Sequence, residues 1–156
     1  MGNSLYLILI FIFLGCNHAD TKKIMVRGDS MIPDLAPDTI YEMIETKQVN
    51  RDELVVFKRK TSKDKYVKKI YAIPGDLVEY NSQLKTVEIN NSPLSRKDGE
   101  RIRTSLRQFR IMEQSLSEGF LAQDRYLVFS SNLSSSYDSR TYGAIKKEEI
   151  VGIISK

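Results

Sequence analysis

Short apolar stretches, separated by turn-forming residues, run through the chain from Lys23 to its end. Such runs, rich in β-branched and aromatic side chains, are typical of strands. We predict strands at Thr39–Ile44, Glu53–Phe57, Tyr66–Ile73, Leu77–Tyr80, Thr86–Ile89, Tyr126–Phe129 and Ile150–Ile154. Turns are predicted at Pro37–Asp38, Pro74–Asp76 and Asn90–Asn91. Few helical periods separate the strands, so the pattern favours a mainly β fold of antiparallel sheets or a distorted barrel.

One segment has helical periodicity instead. Apolar residues recur at helical spacing at Ile102, Leu106, Phe109, Met112 and Leu116, with four arginines around them. This spacing predicts one short amphipathic helix. The arginines fit a solvated face, and they also fit contact with anionic lipid headgroups.

The composition limits what the chain can be. Its 156 residues suffice for one domain. The net charge of +4 makes the chain modestly basic, and this excess does not by itself indicate binding to nucleic acid. Cys16 is the single cysteine and His18 the single histidine. An intrachain disulfide, a thiolate zinc cluster and a histidine-rich metal site are therefore excluded. We expect no metal and no cofactor.

The N-terminal segment is set apart by an unbroken apolar run from Leu5 to Leu14. Ten residues are about half of what a membrane-spanning helix needs. The run fits a short membrane anchor, a lipoprotein signal cleaved before Cys16, or a plain cleaved signal or buried strand. A membrane anchor or a lipoprotein signal would place the body of the chain at a membrane, outside the cytoplasm. We therefore divide the chain into an apolar segment at 1–20 and a β-rich domain at 21–156, with 93–123 as a variable insertion.

Three short boxes contain the residues that could carry chemistry. The first is GDSMIPDL at 28–35, and it is not a nucleophile elbow because Ile32 stands where that motif needs glycine. The second is YVKKIYAIPGD at 66–76, an apolar strand with two lysines inside it. The third is SNLSSSYDSRTYG at 131–143. Taken singly, they fit a serine in a turn, a lysine-protected edge strand and a polar loop.

The two adjacent lysines of the second box point to opposite faces of a strand. Lys68 shares a face with Tyr66 and Ile70, and Lys69 shares the other face with Val67. One of the two must therefore point towards apolar neighbours. Burial lowers the pKa of a lysine, and the neutral amine can act as a general base. The periodicity alone leaves open which lysine this is.

Together and in this order, the boxes resemble those of the type I signal peptidases. That family shows S-M-x-P-T-L, then K-R-x-x-G-x-P-G-D, then G-D-N-x-x-x-S-x-D-S-R-x-x-G. The resemblance spans about Val26 to Gly143 and implies the signal-peptidase fold, a Ser-Lys peptidase activity and no cofactor. It also implies exported preproteins as substrates, membrane lipid as a partner and no nucleic acid.

The resemblance assigns roles to individual residues. It makes Ser30 the nucleophile and Lys68 the general base, since Lys68 precedes Pro74 by the family spacing. The supporting residues are Ser136, which would bond the base, and the ion pair of Asp138 and Arg140. Gly28 and the backbone near Ser30 would form the oxyanion hole. The positions that would line the shallow substrate pockets are Val26, Met31, Leu35 and Val67.

The chain departs from the family pattern at several positions. Asp34 replaces threonine, Lys69 replaces arginine, Ala72 replaces glycine, and Ser130–Ser131 replaces Gly-Asp. None of these changes removes a group with an assigned catalytic role. They leave the substrate range open, and a maturation peptidase of a conjugation or secretion system is an alternative.

Other classes of protein fit the sequence less well. A self-cleaving repressor would need a helix-turn-helix before the serine, where this chain has its apolar run. A penicillin-binding enzyme would need motifs that do not follow Ser62 or Ser82. A catalytically silent binding protein with the same fold is a further alternative, against which the intact Ser30 and Lys68 argue. We predict a membrane-associated serine endopeptidase that removes signal peptides, cutting after small residues on the extracytoplasmic side.

Overall fold

A computed structural model describes residues 21–132, 134 and 137–155. Within these residues the chain is mainly β, as predicted. The strands are β1 (Thr21–Val26), β2 (Thr39–Glu45), β3 (Leu54–Lys58), β4 (Lys65–Ala72), β5 (Val78–Asn81), β6 (Thr86–Ile89), β7 (Ser92–Pro93), β8 (Leu116–Ser117), β9 (Phe120–Leu121), β10 (Arg125–Phe129), β11 (Ile145–Lys146) and β12 (Ile150–Ile154). The helices are α1 (Leu106–Glu113) and the single turn α2 (Ser139–Tyr142), and a 3₁₀ turn spans Lys147–Glu149.

The largest sheet has seven strands in the order β1-β2-β12-β3-β4-β10-β11, and every pairing in it is antiparallel. Smaller sheets are formed by β5-β6-β7 and by β8-β9. Each of the seven predicted strands is confirmed, with bounds that differ by at most a residue at each end. The antiparallel fold class is therefore confirmed as well.

Strand β3 shows how the main sheet is buried on both faces. Leu54 and Val56 pack in one apolar cluster, and Val55 and Phe57 pack in another on the opposite face. A continuous apolar run suits this position, because alternate side chains enter two different cores. The neighbouring strand β4 is held between β3 and β10, and it therefore lies in the interior of the sheet.

The predicted helix exists but is shorter than its periodicity suggested. It begins after Ser105, whose side chain accepts a hydrogen bond from the Gln108 amide while Gln108 caps the Ser105 amide in return. Phe109 and Met112 face a third apolar cluster, which also contains residues of the small sheets. Ile102 is buried as well, but it precedes the helix. The four arginines are exposed, which fits both a solvated face and contact with lipid headgroups, and the choice between these alternatives stays untested.

The N-terminal apolar segment at 1–20, with Cys16 and His18, lies outside the described residues. Within the described ranges, no helix combines the length and the apolar character needed to cross a bilayer. The boundary at residue 21 and the variable character of 93–123 stay predictions.

Candidate active site

Ser30 lies in a tight turn directly after the edge strand β1. The Ile32 amide donates to the Asp29 carbonyl at 3.1 Å, and the Leu35 amide donates to the Met31 carbonyl at 2.9 Å. Gly28 has a φ of +75°, a backbone conformation that side chains with a β-carbon rarely adopt. Glycine thus allows the chain to leave β1 and turn back, which brings Ser30 over β4.

The side chains of Ser30 and Lys68 meet in this arrangement. Lys68 Nζ donates a hydrogen bond to Ser30 Oγ over 2.7 Å. The residues come from the first and second boxes, and only the folded chain brings them together. A serine hydroxyl in direct contact with an amine is the geometry from which a proton can be transferred.

The environment of Lys68 makes its side chain easier to deprotonate than that of a free lysine. The residue is only 4% exposed, and burial lowers the pKa of its ammonium group to about 8. The negative charge of Asp138 acts in the opposite direction and limits this fall. Loss of hydration is therefore the dominant effect, as expected for a lysine within a sheet.

Lys69 is buried too, at 2% exposure, although the sequence required burial of only one lysine. Its Nζ lies 3.5 Å from Asp34 Oδ2 and 3.9 Å from Asp52 Oδ1. The two lysines leave β4 on opposite sides, and each meets a polar partner there. Apolar periodicity cannot reveal this, because the partners come from distant parts of the chain.

Asp138 and Arg140 form a buried, bidentate ion pair behind Lys68. Arg140 Nε donates to Asp138 Oδ1 at 2.9 Å, and Arg140 Nη2 lies 2.6 Å from Asp138 Oδ2. Asp138 also accepts hydrogen bonds from the amides of Arg140 and Ser130. From the sequence alone, the pair would be an exposed contact that contributes little to stability. Because the pair is buried, removing one partner would destabilise the fold much more. Ser136 lies outside the described residues.

An open groove of about 630 Å³ runs past Ser30 and Lys68. One wall comes from β1 and the turn after it, including Val26 and Met31, and the other comes from the start of β4 and the residues before it, including Val67. Since β1 is an edge strand and β4 lies in the sheet interior, both can line one groove only if the sheet curls. Leu35 is not among the lining residues; it packs with Val26 and Met31 in the cluster below.

The groove also has charged walls that motif reasoning missed. Arg27, Lys63, Asp64 and Lys65 all line it. The clustering of lysines in the hairpin between β3 and β4 is visible in the sequence, but its proximity to the first box is not. No group of three or more potential metal-ligating side chains occurs within the described ranges.

Comparison with known proteins places this chain in a family. The sequence profile of the family described as signal peptidase, peptidase S26, matches residues 2–155. The chain belongs to this signal peptidase family. It is therefore a serine peptidase, a hydrolase, as the three boxes predicted.

Three individual signal peptidases are similar to this chain. Signal peptidase IB of Staphylococcus aureus is 28% identical, in a match that covers 83% of this chain and 73% of that protein. Signal peptidase I P of Bacillus subtilis subsp. natto is 26% identical, with 83% and 72% covered. The crystal structure of a signal peptidase I from Enterococcus faecalis V583 is 19% identical, with a TM-score of 0.48 over 69% of this chain and 97% of that one.

Proposed function

We propose that this chain is a Ser-Lys endopeptidase that removes signal peptides from exported proteins. The observation that carries the proposal is the 2.7 Å hydrogen bond between Ser30 and a buried Lys68. Membership of the signal peptidase family supplies the substrate class. A catalytically silent binding protein would have no need to keep a desolvated lysine in contact with a serine, because burying an amine without a role costs stability.

The reaction is acyl transfer through Ser30. Neutral Lys68 accepts the proton of the Ser30 hydroxyl while Oγ attacks the carbonyl carbon of the scissile bond. Lys68 then returns this proton to the departing amine, which leaves the acyl group on Ser30 as an ester. Lys68 next deprotonates a water that attacks the ester, and the proton passes back to Ser30 Oγ as the acid is released.

The oxyanion of each tetrahedral intermediate needs hydrogen-bond donors beside Ser30. Gly28 has no side chain to donate, so backbone N–H groups of the turn that carries Ser30 supply them in our proposal. The space beside Gly28 is also open, since no described atom of a residue other than Gly28 and its two chain neighbours lies within 4 Å of where a β-carbon would be. The substrate carbonyl can therefore approach the turn closely.

The ion pair of Asp138 and Arg140 supports the base rather than touching the substrate. Asp138 holds the start of the third box through the Ser130 amide, and its charge acts on Lys68. We also keep Ser136 as the predicted partner of the Lys68 amine. Neither metal nor organic cofactor enters the proposed steps.

The substrate segment lies extended in the groove between β1 and β4 in this proposal. Main-chain hydrogen bonds to an edge strand such as β1 give affinity without reading sequence. Selectivity for small residues then comes from the apolar surface made by Val26, Met31 and Val67, with Leu35 packed beneath it. Because these side chains are mostly buried already, the pockets they offer are shallow.

We place the enzyme at a membrane, with its catalytic domain on the extracytoplasmic face. The apolar run from Leu5 to Leu14 would serve as a short anchor, or Cys16 would carry a lipid after cleavage. Only a few residues separate this segment from β1, so the groove would stay close to the bilayer. The mass of the mature N-terminus from native membranes distinguishes an anchor, a lipidated Cys16 and plain cleavage.

The test of the dyad compares Ser30→Ala and Lys68→Ala with a surface control, Lys58→Ala. A synthetic peptide containing an Ala-X-Ala cleavage site is the substrate. We expect each dyad variant to lose at least about 10³-fold in kcat/KM, because a nucleophile and its base act as a unit. Lys58 is exposed at the end of β3, and its variant should cleave at the wild-type rate. Cleavage by Ser30→Ala at the rate of the parent protein would contradict the proposal.

A further inference from the structure

A buried polar cluster on the side of β4 away from the dyad joins the three boxes. Lys69 Nζ lies 3.5 Å from Asp34 Oδ2, and the same oxygen accepts a hydrogen bond from Ser131 Oγ at 2.7 Å. The Lys69 side chain is 3% exposed and that of Asp34 is 17% exposed. One residue comes from the turn after β1, one from β4 and one from the loop after β10, so the cluster connects all three parts of the site.

These three positions are also places where the chain departs from the family pattern. At 34, 69 and 131 the pattern has threonine, arginine and aspartate, whereas this chain has aspartate, lysine and serine. Each set holds one hydroxyl, one cation and one carboxylate. The hydroxyl and the carboxylate have exchanged positions 34 and 131, and the cation has stayed at 69. The side chains at positions 34 and 131 lie 2.7 Å apart, which explains how either position can hold the carboxylate that faces residue 69.

Lys69 requires a carboxylate nearby because it is buried. A charge taken out of water is tolerated when an opposite charge and hydrogen bonds compensate it. Asp52 is farther away, at 3.9 Å, and its side chain is 62% exposed, so solvent screens its charge. Asp34 is closer and better shielded from solvent. It is therefore the main electrostatic partner of Lys69.

The cluster acts on the dyad through short stretches of backbone. Asp34 belongs to the same turn as Ser30, and Lys69 is the residue after Lys68. The third box is fixed to this turn a second time, because the Asn132 amide donates to the Ser30 carbonyl at 2.9 Å. A contact between Asp34 and Lys69 thus fixes the serine turn relative to the strand that carries the base.

We propose that Asp34 is a positioning residue whose carboxylate has taken over the role of the carboxylate at position 131 in the family pattern. The cluster of Asp34, Lys69 and Ser131 holds Ser30 Oγ at hydrogen-bond distance from Lys68 Nζ. This inference rests on the proposed dyad function. It adds that the departures at positions 34 and 131 are a single compensated change and depend on each other.

The experiment exchanges the two groups in the full chain. Asp34→Thr, Ser131→Asp and the double variant Asp34→Thr/Ser131→Asp are assayed on the same Ala-X-Ala peptide, with thermal unfolding measured in parallel. Misplacing reacting groups by about 1 Å can cost about 10²-fold, so we expect Asp34→Thr to lose at least about tenfold in kcat with little change in KM. The double variant restores kcat to within about threefold of the parent, because it recreates the family pattern of one hydroxyl and one carboxylate.

Asp52→Asn is the matched control, since it removes the other carboxylate near Lys69 but leaves the cluster intact. We expect it to stay within about twofold of the parent, because solvent screens the charge of the exposed Asp52 carboxylate. If Asp34→Thr does not fold, recovery of a folded, active double variant still supports the inference. A double variant no better than Asp34→Thr overturns it, and so does full activity of Asp34→Thr alone. Should the parent itself lack Ser30-dependent cleavage, the proposed function fails instead.

Discussion

At the scale of single residues, Lys68 is the group whose behaviour can be measured most directly. Burial in the sheet lowers its pKa to about 8, against the opposing effect of Asp138. Below this pKa the amine is protonated and cannot accept the Ser30 proton. Above it the amine is neutral, so activity gains with rising pH.

We therefore expect kcat/KM for the Ala-X-Ala peptide to rise through a midpoint near pH 8 and then level off. A pH–rate profile measures this, with thermal unfolding as a control for loss of structure at alkaline pH. A free lysine titrates at about 10.4, so a rate still climbing steeply above pH 10 would show that Lys68 is not desolvated.

The contact between Ser30 and Lys68 was largely predictable from the sequence, whereas its surroundings were not. The resemblance of the three boxes to the family pattern assigns roles to Ser30 and Lys68, whereas periodicity alone left the choice of lysine open. The contact of Lys69 with Asp34 joins residues far apart in sequence, and no periodicity encodes such a pair. The same holds for Asp138 and Arg140, whose proximity is local but whose complete burial depends on packing of the whole domain.

At the scale of elements, strands with apolar runs were predictable and short strands were not. β3 and β12 are predictable because each is a continuous apolar run, and in β3 alternate side chains enter two different cores. The two-residue strands β7, β8, β9 and β11 exist only because a partner pairs with them. β1 was missed for a related reason: its first three residues, Thr21, Lys22 and Lys23, are exposed. Its strand conformation follows from pairing with β2 along its full length.

Strand β12 offers a stability test of this sheet. Gly152 lies between β2 and β3, and a β-carbon there would overlap the Ile44 carbonyl oxygen and crowd the Met43 side chain. We expect Gly152→Ala to lower the free energy of unfolding by about 2–3 kcal/mol, towards the upper end of the usual cost of overpacking a core. Urea denaturation measures the change.

Gly99→Ala is the matched control for this strand. Gly99 has a φ of +85° and open space around the position of a β-carbon. We expect Gly99→Ala to lower the free energy of unfolding by only about 1 kcal/mol, from the strain of an alanine in the left-handed conformation. Equal losses for the two glycines would mean that β12 can move away from β2, contrary to the tight pairing of these strands.

At the scale of the whole molecule, the curled sheet brings β1 and β4 to the two walls of one groove. The sequence could indicate a distorted barrel, and family resemblance could locate the groove near Val26 and Val67. Neither could place the lysine-rich hairpin between β3 and β4 beside the groove, because the position of this hairpin depends on how far the sheet curls. The groove is therefore apolar near Val26, Met31 and Val67 and charged near Lys63 and Lys65.

This arrangement predicts selectivity at the residue before the scissile bond. We propose a shallow pocket near Ser30, because Val26 and Met31 are nearly fully buried and leave little side chain to form its walls. One extra methylene in such a pocket costs about 1–3 kcal/mol of transition-state binding, and a larger side chain clashes outright. A peptide series that varies only this residue should be cleaved fastest with Ala, almost as fast with Gly or Ser, and slower by orders of magnitude with Leu, Phe or Lys. The measured quantity is kcat/KM for each peptide. Equal values for Ala and Phe would contradict the assignment of the pocket. A preference for Lys would contradict the removal of signal peptides as the function.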